Sequence, residues 1–110
     1  MTDTIEVEEL EDKTKIIIET QNSIYELVLI EGESCMATLM GGYKLPIATE
    51  VCLLGSSWGN NIHPCSIRKG ATLEFIYGED FEQTLITAAI KNVVVYAPDE
   101  SWQYDMEWNT

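Results

Sequence analysis

Apolar and polar positions alternate most clearly between residues 23 and 30. In Ser23-Ile24-Tyr25-Glu26-Leu27-Val28-Leu29-Ile30, one side of an extended chain carries Tyr25, Leu27 and Leu29. The other side carries Ile24, Glu26, Val28 and Ile30. The first side is wholly apolar and is expected to face a core. The preceding run, Lys15-Ile16-Ile17-Ile18-Glu19-Thr20, is β-branched and too short for a typical helix. Gln21-Asn22 separates the two runs, so they predict a β-hairpin.

The same reading extends along the chain. Ile5 to Leu10 starts with alternation, but its acidity suits either a short edge strand or a disordered start. Cys35–Met40 reads as a strand ended by Gly41-Gly42, and Tyr43-Lys44-Leu45-Pro46 as a loop. Glu50–Leu54 is apolar on both faces and reads as a buried strand. Thr72–Tyr77 alternates, with Leu73, Phe75 and Tyr77 on one side. Two strands are expected at 84–88 and 90–96. The alternative is a short helix near 81–91, because Asp80 and Gln83 mimic a capping box. The expectation is an all-β single domain, a β-barrel or sandwich of about seven or eight short strands.

A length of 110 residues fits one domain. Charge divides the chain further: it has 19 acids, six bases and a net charge of −13. Residues 1–13 carry −5 and residues 99–110 carry −4, which leaves −4 on the 85 residues between. This organisation sets an acidic N-terminal segment (1–13) and an acidic, aromatic C-terminal segment (99–110) around a β-domain (14–98). Binding of phosphates needs lysine and arginine to displace counterions, so nucleic acid and anionic membrane surfaces are not expected partners. The ordinary role of such charge is solubility; salt adaptation or mimicry of another polyanion is a weaker reading. The chain has no apolar run of roughly 18 residues and no basic, apolar start, which points to the cytoplasm. Cys35, Cys52 and Cys65 are widely spaced without a CxxC, so free thiols are expected.

Chemistry concentrates in Gly55-Ser56-Ser57-Trp58-Gly59-Asn60-Asn61-Ile62-His63-Pro64-Cys65, read as a central loop. Trp58 is either a plug packed inward or an exposed anchor for a partner, with Asn60 and Asn61 as polar contacts. His63 and Cys65 could supply an imidazole and a thiolate to a metal. Zinc needs three or four ligands, though, and the chain has no second histidine. The same pair could act as base and nucleophile, but no oxyanion-hole motif accompanies it. Glu79, Asp80 and Glu82 read as a solvated turn rather than an acid–base pair, and Arg68-Lys69 as local charge balance, with binding of a carboxylate as the alternative. Near the end, Trp102, Tyr104, Met106 and Trp108 fall on one side of an extended chain. That pattern suits an edge strand or pairing with another chain.

Thr20-Gln21-Asn22-Ser23-Ile24-Tyr25, Gly55-Ser56-Ser57-Trp58-Gly59 and Thr87-Ala88-Ala89-Ile90-Lys91-Asn92-Val93 resemble a group of short, uncharacterised bacterial all-β proteins. These carry a T-x-N-S-x-Y hairpin, a G-S-S-x-G loop and a late T-S-x-V-type strand. The resemblance covers roughly residues 15–95, and Ala88 stands where that pattern often has serine. It implies a strand at Thr87–Val93 and a bacterial setting, and it implies no activity. The leading expectation is a non-enzymatic interaction or accessory module of the bacterial cytoplasm. Its partner is a protein or a second copy, and neither a cofactor nor a metal is expected. Its contact residues would come from Trp58, Asn60, Asn61, His63, Cys65, Trp102, Tyr104 and Trp108. The alternative is a small enzyme or metal-binding protein using His63 and Cys65.

Overall fold

Branched side chains lose little freedom on a pleated backbone, and isoleucine, valine and threonine mark most of the strands this chain forms. The computed structural model describes residues 4–98. Ten strands follow in order among them: β1 (Thr4–Glu6), β2 (Lys15–Thr20), β3 (Ile24–Glu31), β4 (Met36–Gly41), β5 (Leu45–Trp58), β6 (Asn61–Pro64), β7 (Ser66–Arg68), β8 (Thr72–Tyr77), β9 (Gln83–Ile86) and β10 (Ile90–Tyr96). Single 3₁₀ turns occupy Val7–Glu9 and Glu79–Phe81. Two strands, Gln83–Ile86 and Ile90–Tyr96, form where 84–88 and 90–96 are expected; residues 87–89 belong to neither, so the strand implied at Thr87–Val93 begins only at Ile90, and no helix spans 81–91. The short 3₁₀ turn holds both Asp80 and Phe81 at positive φ, which is incompatible with continuing a helix from that start.

The main sheet has the order β10-β2-β3-β4-β5-β8-β9, with β6 attached to β5, and all pairs are antiparallel. Its end strands, β9 and β10, are consecutive in the chain and do not pair with each other. The architecture is therefore an open, sandwich-like sheet and not a closed barrel. A separate two-stranded ribbon joins β1 to β7.

The core follows the alternation. Tyr25, Leu27 and Leu29 of β3 are buried, while their neighbours Ile24 and Ile30 are exposed. Ile16 and Ile18 of β2, Leu39 of β4, Val51 and Leu53 of β5, and Leu73 and Phe75 of β8 meet them. The acidic start of the chain contributes too: Val7 is 0% exposed, and Ile5 and Leu10 pack against the core. On the other face of the β2–β3 hairpin, Lys15 extends diagonally to Glu26, with Nζ 3.0 Å from Oε1.

The longest strand positions the site. Leu45 to Cys52 of β5 pairs with β4; Gly55 to Trp58 continues past the end of β4 and pairs with β6 instead. The other edge of β5 pairs with β8 from Val51 to Ser57. The change of partner coincides with a register shift between Leu53 and Gly55. Gly55 has φ 148°, and a Cβ there would collide with the His63 carbonyl oxygen. Only glycine lets the β6 backbone approach this closely.

Candidate functional site

The stretch 55–65 is a hairpin rather than an exposed loop. Polar Ser56 and Ser57 continue β5, Gly59-Asn60 makes the reversal, and Asn61–Pro64 returns as β6. Trp58 pairs across the turn with Asn61, and Gly59 takes φ 64°, as such a tight reversal requires. The two-residue Gly-Asn signal was present in the sequence, but the run of serines and asparagines around it concealed the strands.

A hydroxyl network explains how serines hold these strands. Ser56 is 0% exposed; its Oγ donates to the Ser66 carbonyl at 2.6 Å and accepts from the Arg68 N–H at 3.0 Å. Ser66 is also buried, and its Oγ donates to the His63 carbonyl at 2.8 Å. The Cys65 N–H donates to Leu54, and the Cys65 carbonyl accepts from Val7. Together these bonds fasten β7 beside the end of β5. No buried side-chain polar atom among the described residues lacks a partner.

The network brings three rings and heads together at the hairpin end. His63 lies flat on Trp58, with ring centroids 3.3 Å apart and planes 6° apart. The Arg68 guanidinium carbon lies over the same indole, 4.5 Å from its centroid. Trp58 and His63 are half-buried, while Gly59, Asn60, Asn61 and Ile62 are exposed. Trp58 thus belongs neither to the core nor to free solvent. It is clamped by its neighbours at the base of an exposed turn. A guanidinium over an indole contributes about 0.5–1 kcal/mol when exposed and more when dehydrated.

Cys65 plays a different part from the one expected. It is disulfide-bonded to Cys35, 30 residues earlier, with a Cα separation of 6.0 Å. This corrects the expectation of free thiols, which only Cys52 meets. The pairing arises because the Leu53 N–H donates to the Cys35 carbonyl and the Cys65 N–H to the Leu54 carbonyl, so adjacent residues of β5 hold the two turns. The Cys65 sulfur therefore offers His63 no thiolate partner, either as nucleophile or as metal ligand. No cluster of three or more histidine, cysteine or acidic side chains suited to a metal occurs among the described residues. Burial pushes the Cys52 thiol above its ordinary pKa, the opposite of what activates a nucleophile.

Asn60 and Asn61 stand at the exposed tip, as a contact surface requires. Trp102, Tyr104 and Trp108 lie outside the described residues. Ser56 and Ser66 are the contributors that a pattern reading misses, and Arg68 enters it only as half of a basic pair, because their roles depend on β7 lying against β5. No helix among the described residues is long and apolar enough to cross a membrane. Comparison with protein families, with curated protein sequences and with solved structures finds no match.

Proposed function

We propose that the protein is a non-enzymatic binding module whose contact surface is the end of the β5–β6 hairpin. The observation that supports this reading is the fixed state of Trp58. Its indole is held by His63 and Arg68, and the residues beyond it are open to solvent. An aromatic ring ordered in advance loses little freedom when a partner covers it, which suits an interface anchor. Asn61, paired across the hairpin with Trp58, and Asn60 at the turn add amide donors and acceptors, while Ile62, 42% exposed and paired with Ser57, adds apolar surface on the other side of the hairpin. The partner is a protein. The net charge of −13 disfavours nucleic acid and anionic lipid.

The disulfide bears on where the module works. Such bonds persist in oxidising compartments, so the Cys35–Cys65 bridge favours one of these over the reducing cytoplasm that free thiols had suggested.

A photo-crosslinking amino acid placed at Asn60, with one at Gln21 in the β2–β3 turn as control, tests the contact surface in cells. Adducts specific to position 60 that disappear with Trp58→Ala are expected. Identical adducts at both positions, or adducts indifferent to Trp58→Ala, refute the reading.

A further inference from the structure

Arg68 is one of only six basic side chains set among 19 acids. Among the described residues the ion pair is Lys15–Glu26, and Arg68 takes part in none. An arginine in so acidic a chain ordinarily finds a carboxylate. This one is held on an indole face instead, its backbone N–H fixed by the buried Ser56 hydroxyl. Its guanidinium makes no hydrogen bond or ion pair among the described residues, so the edge of its planar fork keeps its N–H donors. That edge matches the two oxygens of a carboxylate. Lys69 is the next residue and is exposed, and His63, the chain's one histidine, stacks on the same indole. Of the other bases, Lys44 and Lys91 stand alone in the chain and Lys13 lies two residues from Lys15, which pairs with Glu26, so Arg68 and Lys69 are the one pair of adjacent basic residues.

We propose that Arg68 receives a side-chain or terminal carboxylate from the polypeptide partner that covers Trp58. The proposal rests on the hairpin being a contact surface and adds the chemistry of its recognition. A highly acidic partner would be repelled by the net charge of this chain. At physiological salt, however, charges are screened beyond about 8 Å, so a single carboxylate at Arg68 is shielded from the distant acids of the chain. The partner is therefore a segment with one local acid beside apolar residues, and not a polyanion.

The probe is the peptide N-acetyl-Phe-Glu-Phe-amide, with N-acetyl-Phe-Gln-Phe-amide as its neutral twin. Binding is followed by NMR at the Arg68 Nε–H and the Trp58 indole N–H. Saturable shifts at both groups are expected with the glutamate peptide, and at least tenfold weaker binding with the glutamine peptide. Arg68→Lys keeps the charge but loses the planar fork, and should weaken the glutamate peptide at least fivefold; Lys69→Ala should change it less than twofold. Equal affinity for the two peptides, no saturable shift at Arg68, or Arg68→Lys binding like the wild type overturns the proposal. So does inorganic phosphate saturating Arg68 at lower concentration than the glutamate peptide. If Arg68→Lys fails to fold, the comparison of the two peptides on the wild type still decides. Loss of peptide discrimination with crosslinking at position 60 intact removes the carboxylate and leaves the contact surface; loss of both removes both.

Discussion

Replacing Ser56 by alanine tests the hydroxyl network directly. The side chain is fully buried, and alanine nearly fills its volume, so the cavity contribution is small. What changes is hydrogen bonding. The Ser66 carbonyl loses a donor at 2.6 Å and the Arg68 N–H loses an acceptor at 3.0 Å. Leaving a buried polar group unmatched costs about 1–3 kcal/mol. The carbonyl has a second lone pair and Arg68 is only half-buried, so the sum should lie near 2–4 kcal/mol, in the lower part of the additive range. At roughly 4 °C per kcal/mol for a chain of this size, the melting temperature should fall by about 8–16 °C. Guanidinium denaturation and thermal melting, followed by near-ultraviolet circular dichroism, give the value. The same spectra report whether the Trp58 environment loosens as β7 loses its anchor. Ser57→Ala is the control: Ser57 is half-buried, its hydroxyl makes no hydrogen bond among the described residues, and it should change stability by less than about 0.5 kcal/mol. A Ser56→Ala cost no larger than that of Ser57→Ala would refute the claim that these bonds hold β7 against β5.

Four further outcomes follow from the same structure. Closing a loop over a separation of 30 residues contributes about 3.6 kcal/mol in the chain-entropy account, so Cys35→Ala/Cys65→Ala should lose about 3–4 kcal/mol in guanidinium denaturation. Unfolded, unreduced protein should titrate one thiol and reduced protein three; three thiols before reduction would disprove the bridge. Gly55→Ala places a Cβ against the His63 carbonyl at a backbone angle that L-residues avoid, and should cost about 3 kcal/mol or more with loss of the Trp58–His63 stack; a variant within 1 kcal/mol of wild type contradicts this. Burial raises the Cys52 pKa in the fold, so the protonated thiol stabilises the native state below the ordinary thiol range, and that contribution disappears as pH rises through the folded value. Wild type should therefore lose stability faster than Cys52→Ala between pH 8 and pH 10, and parallel curves would show no such linkage.

What could be read in advance followed the physics of local pattern. Tyr25, Leu27 and Leu29 point inward because a two-residue period leaves no other arrangement for that side of β3. The β-branched content of residues 83–96 prevailed over a capping-box resemblance, and strands formed there. The hairpin at 55–65 reads as a loop because the fully buried side chain near its start is a serine, Ser56, whose burial depends on partners from β7. The disulfide was hidden for a similar reason: three cysteines give no pairing until β5 places two turns side by side. The Arg68–Trp58 contact is set by tertiary packing, and the basic pair could be located in the sequence but not its neighbour.

The covalent link between Cys35 and Cys65 also divides how the molecule bears load. Pulled from its two ends, the oxidised chain carries tension across the sulfur bridge and around everything between, withholding about 100 Å of extension until reduction. Trp58 and His63 sit inside that shielded ring; Arg68 sits just outside it. Stretching would therefore draw the guanidinium off the indole while the hairpin beneath it stays slack.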